Sequence, residues 1–338
     1  MPSLNVITTS GLTKVYKGKR AVDTLDMHVA AGDIYGFVGK NGSGKSTTMK
    51  MICGLVDPTY GSVELFGGAA STGAAAGQAS PFSAAFSRVG TLIEDPGILP
   101  KHSAFDNMMA KALALGVVQP EAECRRLLDL VGLDADDRKR TKGYSLGMKQ
   151  RLGIALALVG GPDLLLLDEP FNGLDPESTR AIRGALVRLN QERGVTIVVS
   201  SHVLDQLDRM ATRYGVIRDG KMVHEFTEEE LHARCSSSIR VKTADTARTL
   251  AMLEEKLPGA AMRVDPDDSI VITAAAGDRH AAARFGGAAD DAAASGAPTV
   301  EQVARVLHDA GQVVLELTRQ ERDIEDYFVE LMGPDTTE

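Results

Sequence analysis

The sequence predicts an α/β fold in two unequal parts, a largely parallel sheet flanked by helices and then a smaller α+β domain. Three observations carry this. Short β-branched runs alternate with helix-period segments over the first two thirds of the chain, a glycine-rich loop joins a strand to a helix at Gly39–Ser46, and beyond residue 227 strand and helix patterns follow a different order. At 338 residues two cores are expected, because single cores stop growing near about 250–300 residues.

The strands of the first part are expected at Ala21–Val29, Asp33–Val38, Arg88–Ile93, Leu164–Asp168 and Thr196–Ser200, within a core spanning 4–226. Between Ser103 and Val131 two amphipathic helices follow one another without a strand, with Leu127, Leu128, Leu130 and Val131 at helical spacing. They are assigned to a helical subdomain, about residues 95–160, inserted into the core. Thr227-x-x-Glu230 makes a capping box that opens an accessory domain, 227–338. There the pattern reads strand 239–243, helix 246–257, strands 261–264 and 269–273, helix 299–310 and strand 312–319. That β-α-β-β-α-β order is the ferredoxin-like plan. A last apolar helix, Asp323–Met332, is expected to pack back on the protein. Gly67–Ala85 and Ala274–Pro298 are poor in core formers and rich in Ala, Gly and Ser, so both are expected to be flexible surface loops.

Composition narrows the function classes. Hydrophobic residues at 43% and charged residues at 25% are ordinary globular values. A formal net charge of -9 argues against nucleic acid as the main partner. Three cysteines, Cys53, Cys124 and Cys235, are too scattered for a disulfide framework or a zinc site and point to a reducing, cytoplasmic compartment. Met1–Ser10 lacks a signal-peptide pattern, and the most apolar stretch, Ile154–Leu167, is broken by Gly160, Gly161, Pro162 and Asp163. No membrane span is expected, so a transport function would need a pore from another chain.

Gly39-Lys40-Asn41-Gly42-Ser43-Gly44-Lys45-Ser46 follows strand Ile34–Val38 and opens helix Thr47–Cys53, the setting that makes the pattern a P-loop. Glycines let backbone N–H groups close around a β-phosphate, and the helix amino terminus adds partial positive charge. Lys45 is expected to neutralise the β and γ oxygens, Ser46 to offer its hydroxyl to Mg²⁺, and Thr47 to reach the α-phosphate. Leu164–Leu167 is a buried apolar strand that delivers Asp168 and Glu169 to the ligand edge of a parallel sheet. Asp168 suits the Mg²⁺ shell, and Glu169 suits the polarisation of a water for attack on the γ-phosphate.

With these residues in place, the first 225 or so positions resemble an ATP-binding-cassette ATPase, whose fold adds an antiparallel β subdomain and a helical insert to the P-loop core. Tyr144-Ser145-Leu146-Gly147-Met148-Lys149-Gln150-Arg151 stands where the family has its signature. The resemblance implies that Ser145 and Gly147 close over ATP held by a second copy in a head-to-tail homodimer. Asn172-Gly173-Leu174-Asp175 resembles the D-loop, with Asp175 reaching across that dimer, and His202 after strand Thr196–Ser200 resembles the switch histidine. Tyr16 lies where the family stacks an aromatic on adenine, or else packs only on the first strand. The segment Val89–Glu94 aligns with the Q-loop, with Glu94 in place of the usual glutamine, and a carboxylate there faces Mg²⁺ or its water shell. Leu146 and Met148 depart from the usual glycine and glutamine.

Leu-Ile-Glu at the Q-loop and Tyr-Ser-Leu-Gly-Met-Lys-Gln at the signature resemble the branch that exports bacitracin, lantibiotics and similar peptides. The resemblance implies ATP and Mg²⁺ as cofactors, a separate membrane permease docked around Glu94–Asn107, and a place on the inner face of the cell membrane. Two rivals stand beside it: a soluble cassette ATPase acting on ribosomes or DNA, which usually carries a second cassette, a coiled coil or a zinc module, and a non-catalytic regulatory partner. Lys45, Asp168, Glu169 and His202 together speak against the second rival.

Overall fold

The structure, a computed structural model, describes residues 4–72, 85–235, 238–258, 260–274, 298–320 and 324–333. They form two compact units, one holding the chain up to Glu228 together with the segment from Phe328, the other holding Glu229–Tyr327.

The first unit runs β1 (Asn5–Tyr16), β2 (Lys19–Ala30), β3 (Ile34–Val38), α1 (Lys45–Ile52), β4 (Tyr60–Leu65), β5 (Gly68–Thr72), β6 (Val89–Leu92), α2 (Ala104–Ala114), α3 (Pro120–Leu130), α4 (Leu146–Leu158), β7 (Leu164–Asp168), α5 (Pro176–Arg193), β8 (Thr196–Ser201), β9 (Arg213–Arg218) and β10 (Lys221–Thr227). Two sheets result, β2-β1-β4-β5 and β10-β9-β3-β8-β7-β6. The first is antiparallel throughout; the second is parallel except where β10 pairs with β9. Ala21–Val29, expected beside the parallel strands, therefore belongs to the antiparallel sheet, because a tight turn at Lys17 and Gly18 folds it directly onto β1. Part of the expected loop Gly67–Ala85 is also corrected: Gly68–Thr72 is a strand, held by the ladder to β4 despite its small side chains. Residues 73–84 lie outside the described residues.

One core joins the two sheets through α1. Leu25 and Met27 of β2, Tyr35 and Phe37 of β3, Met49, Met51 and Ile52 of α1, Val63 of β4, and Leu164 and Leu166 of β7 cluster there with no exposed surface. The helix that follows the P-loop is thus gripped by both sheets, which fixes the loop in front of it.

The second unit runs from α6 (Glu228–Cys235) through β11 (Ser238–Thr243), α7 (Thr246–Lys256), β12 (Ala260–Val264), β13 (Ile270–Ala274) and α8 (Val300–Asp309) to β14 (Val314–Gln320). Its sheet order is β12-β13-β11-β14, antiparallel throughout, which is the ferredoxin-like arrangement of the β-α-β-β-α-β pattern. Ile239, Val241, Ile270 and Ile272 alternate inward and meet Leu253 of α7 and Val303 and Leu307 of α8. Asp245 caps α7, and Thr299 with Gln302 closes a capping box on α8. Of the expected loop Ala274–Pro298, residues 275–297 lie outside the described residues.

The last helix, α9, spans Ile324–Met332. From Phe328 onward the chain packs as part of the first unit: the Phe328 ring is 1% exposed and stands edge-on to Tyr214 and Phe226, at 5.7 and 5.5 Å between centroids. Arg218 donates to the Leu331 carbonyl at 3.1 Å, and the ammonium of Lys40, inside the P-loop, donates to the Gly333 carbonyl at 2.7 Å.

Candidate active site

Three parallel strands deliver the candidate residues to one edge of the sheet, beyond their carboxyl ends, where open α/β sheets bind ligands. β3 ends at Val38 and leads into the P-loop, β7 ends at Asp168, and β8 ends at Ser201 just before His202. The pairing of Val38 with Ser201 and of Asp168 with Ser200 sets these ends level. A backbone bond from the Gly39 amide to the Ser201 carbonyl, 3.3 Å, ties the loop to that edge.

The P-loop turns on its glycines. Gly44 caps α1 at φ +111°, and a Cβ there would stand 2.6 Å from the Ala21 carbonyl oxygen. Gly39 is tight for another reason, since its Cβ would lie 2.5 Å from the Ile217 carbonyl. Asn41 and Gly42 are exposed at the turn, and Ser43 and Lys45 are buried. Ser46 and Thr47 sit half-buried in the first turn of α1, where backbone N–H groups lack helical partners.

Lys45, Asp168, Glu169 and His202 converge. The Lys45 ammonium donates to the carbonyls of Gly39 at 2.6 Å and Lys40 at 3.2 Å, and lies 3.4 Å from Glu169 Oε1. Glu169 Oε2 meets His202 Nδ1 at 2.8 Å; an ionised carboxylate only accepts, so Nδ1 carries the hydrogen and Nε2 is the ring nitrogen left to face a second group. Glu169 adopts φ +48°, a left-handed backbone that turns its side chain back toward Lys45 and His202. Asp168, 9% exposed, accepts from Ser200 Oγ at 2.6 Å, and the Glu169 amide donates to the same oxygen at 2.9 Å. Two buried side-chain atoms of this group, Ser43 Oγ and Glu169 Oε1, have no hydrogen-bond partner, a donor and an acceptor that suit a phosphate and a water.

The other expected residues have local partners of their own. Ser145 is exposed at the amino terminus of α4, where its hydroxyl accepts from the Met148 amide at 3.2 Å, and Gly147 sits in the first turn. Leu146 lies over the D-loop: a Cβ on Gly173 would stand 2.4 Å from its Cδ2. Asp175 caps α5, accepting from the Ser178 amide and hydroxyl, each at 2.8 Å, and the amide foremost holds its carboxyl below the ordinary range. None of these bonds reaches the Lys45 group. Tyr16 ends β1 with 46% of its surface exposed, and the Lys14 ammonium lies 5.3 Å from the centre of its ring.

Glu94 follows β6, whose Leu92 is the register partner of Leu167 just before Asp168. At φ +63° and 65% exposed, it pairs with Lys50 in the last turn of α1, Oε1 to Nζ 2.5 Å. It borders a groove of about 510 Å³ whose lining includes Asp95, Ile98, Lys142, Leu146 and Lys149.

Sequence reasoning passed over Ser200, whose hydroxyl joins Asp168 to Glu169, and Lys40, which reaches the Gly333 carbonyl. A hydroxyl two places before His202, at the end of a strand bound to lie next to β7, was the available signal for the first. Lys40 and Gly333 have none, being far apart in the chain.

The ABC transporter family profile matches residues 22–172. The chain is 33% identical over 331 residues to the bacitracin transport ATP-binding protein BcrA of Bacillus licheniformis, covering 98% of each. It is 37% identical over 220 residues to the lantibiotic transport ATP-binding protein SrtF of Streptococcus pyogenes, covering 65% of this chain and 90% of that one. Among solved structures, a dimeric post-hydrolysis state of the ATP-binding cassette MJ0796 bound to ADP and phosphate matches with a TM-score of 0.60 at 23% identity, over 66% of this chain and 98% of that one. At that identity the match concerns the fold.

Proposed function

Since the chain belongs to the ABC transporter family as an ATP-binding subunit, we propose that it powers the export of a peptide antibiotic through a separate membrane permease. ATP binding and hydrolysis are the family activity, and the observation that carries them here is the convergence of Lys45, Asp168, Glu169 and His202 at one sheet edge. Among the described residues no helix is long and apolar enough to cross a membrane, which is in keeping with a pore on another chain. We place the subunit on the inner face of the membrane.

The P-loop amides and Lys45 bind the β- and γ-phosphates, with Lys45 exchanging its carbonyl partners for phosphate oxygens. Glu169 orients a water in line with the γ-phosphate and accepts its proton; His202 holds that carboxylate through Nδ1 and turns Nε2 toward the γ-phosphate. Tyr16 stacks on adenine, and Thr47 reaches the α-phosphate. Hard oxygen donors, the Ser46 hydroxyl and the Asp168 carboxylate, fit Mg²⁺. Bound there, Mg²⁺ would neutralise charge on the β and γ oxygens. Ser145, Gly147 and Asp175, displayed at helix amino termini, complete the site of a second copy in a head-to-tail dimer.

The groove beside Glu94, apolar at Ile98 and Leu146 and charged at Asp95, Lys142 and Lys149, is our docking site for the permease. ATP hydrolysis by the purified protein, abolished by Lys45→Ala, and copurification with a multi-span membrane protein that raises bacitracin tolerance when co-expressed are the expected results. Copurification with ribosomes instead would overturn the export function.

A further inference from the structure

We propose that Ser200 is a positioning residue of the ATPase site, a single hydroxyl that sets both the metal-facing carboxylate of Asp168 and the backbone of the base Glu169. The inference rests on the proposed ATPase function. Asp168 and Ser200 are register partners on adjacent parallel strands, so their side chains leave the sheet on the same side. Ser200 is fully buried. Its one hydroxyl hydrogen goes to Asp168 Oδ1 at 2.6 Å, because the carboxylate only accepts, and its oxygen accepts the Glu169 amide at 2.9 Å.

Each bond has a separate consequence. Holding Oδ1 fixes the plane of the Asp168 carboxylate and leaves Oδ2 as the oxygen to offer a cation, the way a neighbouring hydrogen bond orients a metal ligand. Holding the Glu169 amide supports a left-handed turn, φ +48°, that a glutamate rarely adopts, and that turn aims Oε2 at His202 and Oε1 at Lys45. Ser201 does different work: its hydroxyl serves the turn at Val203 and Gln206, and its carbonyl accepts from Gly39. The two serines are therefore not interchangeable.

The test compares Ser200→Ala and Ser200→Thr with wild type in thermal melting, in fluorescent-ATP binding with EDTA, in Mg²⁺ titration of that binding, and in steady-state hydrolysis. For Ser200→Ala we expect binding in EDTA to stay within about twofold, the Mg²⁺ midpoint to rise and kcat to fall roughly 10–100-fold, with KM changed far less. Ser200→Thr, which keeps the hydroxyl, is expected to recover most of both losses. A Ser200→Ala protein that melts like wild type and keeps its Mg²⁺ midpoint and kcat would overturn the inference. So would a Ser200→Thr protein that melts like wild type yet is as impaired as alanine. If alanine does not fold, Ser200→Cys, close in size and a weak donor, is read by the same criteria. Wild-type protein without hydrolysis would instead overturn the ATPase function itself.

Discussion

Deleting the chain from Phe328 onward is expected to destabilise the ATPase unit, although the deletion lies far from the P-loop in sequence. Phe328 is 1% exposed and makes edge-on contacts with Tyr214 of β9 and Phe226 of β10, the strands that close the parallel sheet. Losing a buried phenylalanine costs about 3–5 kcal/mol, because the cavity left behind adds to the lost transfer energy. The bonds from Arg218 to Leu331 and from Lys40 to Gly333 add about 0.5–1.5 kcal/mol each at a partly exposed site. A unit of this size shifts its Tm by roughly 2–4 °C per kcal/mol, so the Phe328 term alone predicts a loss of about 6–20 °C. Differential scanning calorimetry of the truncated chain and of Phe328→Ala would measure it. Replacing 238–320 by a flexible linker while keeping the tail should leave the ATPase-unit transition largely in place. A truncated protein melting within about 1 °C of wild type would refute the assignment of the tail to the ATPase core.

Glu169→Gln removes the proton acceptor but keeps the side chain's shape; kcat should fall at least about 100-fold and an ATP-bound dimer should accumulate on size-exclusion chromatography, whereas wild-type turnover would count against Glu169 as the base. Glu94→Gln breaks an exposed pair with Lys50, so stability should change by less than about 1 kcal/mol in urea melts, while the rate or its Mg²⁺ dependence shifts. An unchanged profile across Mg²⁺ concentrations would remove Glu94 from the metal's surroundings. The Ser103 hydroxyl, then its amide, hold the Asp106 carboxyl below the ordinary range at the start of α2. A depressed folded pKa contributes stability that is present above the unfolded value and lost as pH falls through the folded one. The stability gap between wild type and Asp106→Asn should therefore be open at neutral pH and close below about pH 4, as read by denaturant melts.

The residues we assign to phosphate binding were legible because their chemistry is contiguous: eight positions from Gly39 to Ser46 carry the turn, the amides and the lysine, and the apolar run before Asp168 and Glu169 names their strand. The accessory unit was legible for a similar reason, since its strand and helix periodicity is a local signal and matches the strands and helices found. Gly68–Thr72 was not, because four of its five residues, Gly-Ala-Ala-Ser, carry no preference for a strand and the ladder to β4 supplies what Thr72 alone does not. Glu94 lay in a recognisable segment, but its partner Lys50 sits on another element.

The sequence by itself therefore determined the class of chemistry, through residues whose function depends on neighbours within a few positions. Only the tertiary structure decided which side chains act together across strands and termini. Ser200 reaches Asp168 because two parallel strands happen to be level, and Lys40 reaches Gly333 because the chain's end returns to the P-loop unit. Such contacts follow from how sheets and helices pack, and packing is settled by the whole fold rather than by any local pattern.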